Sequence, residues 1–352
     1  MIRSLPADLP FFERAGALGV PALFVAPRST GAQRLRASLS PTLPRVNEAA
    51  LHLAGPSGCG KTAVALALAR LLRRVEIVNA DAFQAYRGLE ILSAAPGPAE
   101  RRTCPHHLFG ILDPGEENDA ATFSARARRT IAEISARGAL PLVVGGSGLY
   151  LKAITHGLAP TPPGDPALRS ELDALDLDEL VARYRELDPV GAAGTDLRNR
   201  RYVSRNLEIT LLAGRPASEL KKENPAAPAS LRAVCLQRAR PDLAARIAAR
   251  TEAMFAAGAV AEVAALGALS TTAAKAIGIP EIAALRRGEI DEAECREQIA
   301  RATRRYAKRQ ETWFRREKDF VPMHVAKDEA PEHTAARIAE AFGLSPLGEA
   351  DA

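Results

Sequence analysis

The eight residues Gly55-Pro56-Ser57-Gly58-Cys59-Gly60-Lys61-Thr62 constrain this chain more than any other feature. They spell GxxxxGK[ST], and their flanks suit the pattern. Leu51-His52-Leu53-Ala54 is a short apolar strand, and residues 62–72 have a helical pattern. A glycine turn between strand and helix lets backbone N–H groups wrap an anion closely, and the helix start adds positive partial charge. Lys61 sets a cation on the phosphate oxygens, and the Thr62 hydroxyl can ligate Mg²⁺. The motif therefore demands a strand–loop–helix unit and a phosphate compound, but leaves that compound open.

The rest of the chain extends this unit. Residues 75–79 read as a second strand ending at Ala80-Asp81, and residues 122–137 suit a helix closed by Gly138. Residues 140–144 form an unbroken apolar strand running into Gly145-Gly146, and 231–236 form another. Near-continuous apolar strands alternating with helices predict an α/β fold: a P-loop NTPase-like parallel sheet flanked by helices. Pro160-Thr161-Pro162-Pro163-Gly164-Asp165-Pro166 reads as a hinge. Short helical patterns with Asp-Pro starts at 165–166 and 188–189 follow it. A longer helix over 196–213 then stops at Gly214. The expected organisation is a core of 49–160 and 205–320, a small all-helical insertion domain at 161–204, and a C-terminal tail at 321–352. Residues 1–48 carry six arginines against three acids and no sustained periodicity, so a disordered extension is expected there.

Several classes drop out. No apolar run approaches the roughly 20 residues of a membrane helix. The four cysteines (Cys59, Cys104, Cys235, Cys295) are scattered without a CxxC pair, which fits a reducing cytoplasm and argues against disulfides or a zinc site. His106-His107 has no third ligand nearby in sequence and is read as structural. Strand 140–144 ends in Gly-Gly where a Walker-B strand would end in Asp, and no NKxD occurs for guanine recognition. Those two gaps weaken the ATPase and GTPase readings. A P-loop small-molecule kinase using ATP stays as the alternative.

Further motifs follow in order: IVNADAFQAYRGLEI (77–91), PHHL (105–108), DP (113–114), GGSGLYLKA (145–153), RNRRYVSRNLEI (198–209), RIAAR (246–250), KAIG (275–278) and YAKRQETWFR (306–315). Together with the phosphate loop they resemble the tRNA dimethylallyltransferases, also called tRNA isopentenyltransferases, from about residue 50 to 316. The resemblance implies transfer of dimethylallyl from its diphosphate, with Mg²⁺, to N6 of the adenosine 3′ of the anticodon in tRNA. It implies Asp81, Ser147 and Arg250 as catalytic residues and residues 55–62 as the diphosphate loop, with Thr62 on Mg²⁺. It implies tRNA contacts at Asp81, Ala82, Phe83, Gln84, Ser147, Arg169, Arg201, Tyr202, Val203, Ser204, Arg205, Lys275, Ile277 and Gly278. The sequence departs from the family pattern at Ala82 (usually Ser), Ser147 (Thr), Tyr202 (Arg), Ile279 (aromatic) and Ala95, where a basic residue is missing. None of these removes a catalytic group.

The residues make chemical sense of the resemblance. Adenine N6 is a poor nucleophile, and a carboxylate beside it can take the proton as the C–N bond forms. Asp81 ends a strand at the ligand-binding edge expected of an open α/β sheet. From Arg296 to Lys318, nine Lys/Arg face three acids at helical spacing, a stripe suited to backbone phosphates, and Arg198, Arg200, Arg201 and Arg205 form a second cluster. Trp313 lies in an amphipathic pattern and is read as core. The expected partners are tRNA and dimethylallyl diphosphate, with no membrane and no obligate protein partner evident.

Overall fold

The structure is a computed structural model that describes residues 50–223 and 230–345. The expected N-terminal extension lies outside the described residues. Six strands form one all-parallel sheet in the order β3-β2-β4-β1-β5-β6. They are β1 (Leu51–Ala54), β2 (Val75–Asn79), β3 (His106–His107), β4 (Leu140–Gly145), β5 (Arg232–Gln237) and β6 (Val321–His324). Successive side chains on a strand point to opposite faces. In β4, Leu142 and Val144 enter one apolar cluster while Val143 enters the other. In β5, Val234 and Leu236 part from Ala233 and Cys235 in the same way. Both faces are thus covered, which is why these strands read as unbroken apolar runs.

Helix α1 (Lys61–Leu71) follows the phosphate loop and packs on one face. α2 (Pro98–Arg101) is a single turn. Helices α3 (Ala120–Ala136) and α4 (Gly148–Thr155) cover the opposite face. The insertion comprises α5 (Pro166–Asp173), α6 (Leu177–Leu187), α7 (Pro189–Ala193), α8 (Arg200–Ala213) and α9 (Ala217–Lys222). Asp165 and Asp188 cap α5 and α7 through backbone N–H groups, as their Asp-Pro spelling implies. Leu172, Leu180, Tyr184, Val203 and Leu207 form the insertion's own apolar cluster. The expected boundary at 204 therefore cuts through α8, whose inner face supplies Val203 and Leu207 together. α8 also starts four residues later than expected, because Asp196 turns the chain by accepting the Arg198 N–H at 3.2 Å.

After β5 come α10 (Arg240–Ala256), α11 (Ala259–Ala264), α12 (Ile279–Arg286) and α13 (Glu292–Phe314). Residues 321–345 are more than a tail. β6 extends the sheet beside β5, and Ala335, Ile338 and Ala339 of α14 (Pro331–Ala341) join the cluster over α1. Four residues with Pro322 at an edge are too few to show a strand period. Among the described residues no helix is long and apolar enough to cross a membrane.

Candidate active site

The loop between β1 and α1 turns on Gly58 and Gly60, with φ of 85° and 100°. Gly60 precedes α1 without any side-chain cap, so the first N–H groups of the helix are left for an outside acceptor. Lys61 Nζ folds back and donates to the Gly55 and Pro56 carbonyls at 2.9 and 3.0 Å. Two arginines outside the motif hold the loop's carbonyls outward: Arg238 Nε donates to Cys59 O and Arg246 Nε to Gly58 O, both at 2.9 Å. The Ser57 N–H donates to Gln310 Oε1 at 2.8 Å. Sequence reasoning alone misses all three of these side chains. Arg246 lies inside the RIAAR motif and Gln310 inside YAKRQETWFR, and that membership is the signal that could single them out, whereas Arg238 lies in the connection between β5 and α10, outside both motifs.

Across the loop, Asn79 at the end of β2 fixes the next turn. Its Oδ1 accepts the Asp81 N–H at 2.7 Å and its Nδ2 donates to Asp81 O and Leu108 O at 3.0 Å. Asp81 Oδ1 accepts the Phe83 N–H at 3.0 Å, which leaves further lone pairs on the carboxylate. Ser147 heads α4 without capping it; its buried Oγ instead accepts the Ala82 N–H at 3.3 Å. Ser147 thereby ties the end of β4 to the 81–84 turn. Gly145 makes that approach feasible, since a Cβ there would lie 2.3 Å from Ala80 O.

Arg250 extends from α10 into the same cleft. Its Nε is buried and has no hydrogen-bond partner among the described residues. Burial pushes its guanidinium below the usual range, and the charge of Asp81 opposes that shift. Tyr306 of α13 also borders the cleft, its hydroxyl pushed up to about 12 by burial and then by the charge of Asp81. A buried guanidinium N–H without a partner is costly unless an acceptor completes it.

These groups open on one cleft of about 2130 Å³. It brings together Lys61, Thr62, Asp81, Ala82, Phe83, Gln84, Ser147 and Arg250 with Arg169, Arg201, Arg205, Lys275 and Ile277. Gln84 Nε2 donates to the Ser93 and Ala94 carbonyls at 3.1 and 3.0 Å, which leaves its oxygen as the free end. Other expected contacts stand apart. Val203 is fully buried in the insertion's core, because α8 turns that face inward, so its side chain cannot reach a nucleic acid. Tyr202, Ser204 and Gly278 do not line the cleft, nor do Gly55, Pro56 and Cys59 within the loop. Gly278 has φ of 104° and sits where a Cβ would meet Leu92 at 2.3 Å, a packing role. Arg169 and Arg205 both grip buried Glu208, at 2.9 and 2.6 Å.

On α13, Arg296, Arg301 and Arg304 have carboxylate partners in Glu252, Glu292 and Glu297. Arg305, Lys308 and Arg309 stay exposed. His106 and His107 bond to Cys104 O and Glu76, and no three-residue metal cluster occurs among the described residues. Trp313 is partly buried, with Phe314 edge-on at 4.9 Å, and it fills the space that a side chain on Gly148 would take.

Comparison with known proteins places the chain in a family. A family profile described as IPP transferase matches residues 84–317. A tRNA dimethylallyltransferase of Akkermansia muciniphila is 46% identical over 293 residues, covering 83% of this chain and 99% of its own. One from Anaeromyxobacter dehalogenans is 43% identical, covering 81% of this chain and 97% of its own. The crystal structure of a tRNA isopentenylpyrophosphate transferase from Bacillus halodurans superposes with a TM-score of 0.59 at 31% identity, over 84% of this chain and 99% of that one. A eukaryotic dimethylallyltransferase acting on tRNA superposes at 0.70 with 23% identity, covering 85% of this chain and 81% of that one, which supports the fold alone. This chain belongs to the tRNA dimethylallyltransferase (IPP transferase) family.

Proposed function

We propose that the protein transfers a dimethylallyl group from dimethylallyl diphosphate to N6 of the adenosine 3′ of the anticodon in tRNA. One observation carries the reading: a phosphate loop faces Asp81 across a cleft into which Arg250 brings a buried, unpartnered Nε. In the reaction the allylic C–O bond breaks, the C–N bond forms at N6, diphosphate leaves with the electron pair, and N6 gives up a proton. Lys61, Arg250 and the loop's N–H groups stabilise the charge on the leaving diphosphate. Asp81 accepts the N6 proton. Ser147 keeps the 81–84 turn in register with the end of β4 through the Ala82 N–H.

The donor set suits Mg²⁺ as the cofactor. Thr62 lines the cleft at the loop's end, and Mg²⁺ takes few protein ligands when substrate phosphates supply the rest. When bound, the ion would neutralise diphosphate oxygens. Exposed Arg201 and the Arg305, Lys308 and Arg309 face of α13 suit tRNA phosphates, while Gln84, Lys275 and Ile277 suit the nucleotide that enters the cleft. A cytoplasmic location follows from that substrate. The family membership leaves the small-molecule kinase unfavoured. The test is mass spectrometry of nucleosides from tRNA incubated with the protein, Mg²⁺ and dimethylallyl diphosphate. The expected product is adenosine heavier by one dimethylallyl group. Unmodified tRNA alongside turnover of ATP would overturn the reading.

A further inference from the structure

A phosphate loop binds through its amides, and each N–H already occupied is lost to the ligand. Here the third residue of the loop is occupied. The Ser57 N–H donates to Gln310 Oε1 at 2.8 Å, and the other end of that side chain, Nε2, donates to Gly146 O at 2.8 Å. Gln310 is only 5% exposed, so water does not readily replace it. Gly146 packs directly on the loop's first half. A Cβ on it would lie 3.0 Å from Gly55 O and 2.4 Å from Gln310 Nε2. The cleft reaches Ser57, Gly58, Gly60, Lys61 and Thr62, while Gly55 and Pro56 are closed off.

We propose that Gln310 is a specificity-determining residue that sizes the phosphate loop for two phosphates and shuts out a third. This rests on the prenyl diphosphate reading above and goes beyond it by naming what rejects a nucleoside triphosphate. Gln310 caps the first half of the loop, the Cys59 N–H is spent on Pro56 O at 3.2 Å, and the amides of Gly58, Gly60, Lys61 and Thr62 hold a diphosphate. A third phosphate moving toward Ser57 meets an acceptor oxygen and the Gly146 backbone where a free N–H would be needed to replace its water.

The test is calorimetric titration of the full chain with inorganic pyrophosphate and with inorganic triphosphate, using the native protein, Gln310→Ala and Gln310→Glu, with thermal melting as the fold control. The native chain should prefer pyrophosphate. Gln310→Ala frees one N–H and the space beside it, so the affinity ratio should move about tenfold toward triphosphate, the scale of one hydrogen bond. Gln310→Glu keeps the shape but adds a negative charge, so both ligands should weaken and the ratio should move the opposite way. Opposed shifts are not expected of a side chain that only supports the fold, and the glutamate variant keeps the test alive if alanine unfolds the protein. A ratio unchanged in both variants, or a native protein that binds triphosphate as well as pyrophosphate, overturns the proposal. Prenyl transfer by the native protein, measured in parallel, separates the two claims: its absence sinks the functional reading, and its presence with an unmoved ratio sinks only this one.

Discussion

Arg201 and Arg205 lie one turn apart on α8 and read alike in the sequence, yet their surroundings separate them. Arg205 donates to Glu208 at 2.6 Å and to Pro162 O at 3.0 Å. Glu208 is 1% exposed and is held also by Arg169 at 2.9 Å and by the Asp165 N–H at 2.8 Å. Stripping a buried carboxylate of every cation costs about 3–5 kcal/mol. Arg205→Gln leaves Arg169 in place, so a destabilisation of about 1–3 kcal/mol is expected, several degrees in melting temperature. Arg201 is exposed and has no ion pair among the described residues, so Arg201→Gln should change stability by less than about 0.5 kcal/mol. The order reverses for RNA. Removing one cation from a backbone phosphate flattens the log–log salt dependence of binding by about 0.7 on single-stranded RNA. Arg201→Gln should show that full step, whereas Arg205, already committed to Glu208, should show well under half of it. Fluorescence anisotropy with labelled tRNA over a salt series, paired with thermal melts, reads both effects. Equal slopes for the two variants, or an Arg205→Gln protein as stable as the native one, would refute the reasoning.

Two further outcomes follow from the geometry. Gly145→Ala would drive a Cβ to 2.3 Å from Ala80 O, backbone against strand end, so it should cost about 1–3 kcal/mol and displace Asp81, with prenyl transfer falling more than tRNA binding. His52 is buried in β1 and its pKa is lowered to about 4 by desolvation. Because the unfolded chain takes up that proton near 6.5, stability should be full above that pH. It should fall by about 3 kcal/mol as pH drops from 6.5 to 4, and His52→Leu should remove this part of the slope in urea melts.

The parts of the molecule that are legible in sequence are those written in adjacent residues. The phosphate loop, the Asp81 turn and Gly145-Gly146 each lie where a strand ends, so one local pattern places each of them at the same sheet edge. Gln310 touches Ser57 from 253 residues away, and no spacing within either segment reports that contact. Arg246 acts on a loop carbonyl from α10 and Arg238 from the connection before it, and neither local sequence marks an arginine with that role. Val203 fails as a tRNA contact for a related reason. It sits inside an arginine cluster, and the cluster's charge hides the period that turns this one residue inward. Glu208 belongs to the same motif, and only the hinge's return beside α8 shows that it serves Arg169 and Arg205. β6 and α14 read as a tail because four edge residues carry no alternation, and the apolar stripe of α14 means little until α1 is seen beside it.

In the proposed reaction Asp81 takes the N6 proton while the phosphate loop and Arg250 hold the departing diphosphate. The most direct test is the single-turnover rate of prenyl transfer to tRNA by Asp81→Asn, with enzyme in excess, nucleosides counted by mass, and binding of both substrates measured alongside. Asparagine keeps the shape and can still accept the Phe83 N–H, so tRNA and pyrophosphate affinities should stay close to native. The transfer step should slow by roughly 10²–10⁴, the range for a positioned general base. Transfer at near-native rate would contradict this role for Asp81, and so would abolished tRNA binding with the chemical step intact.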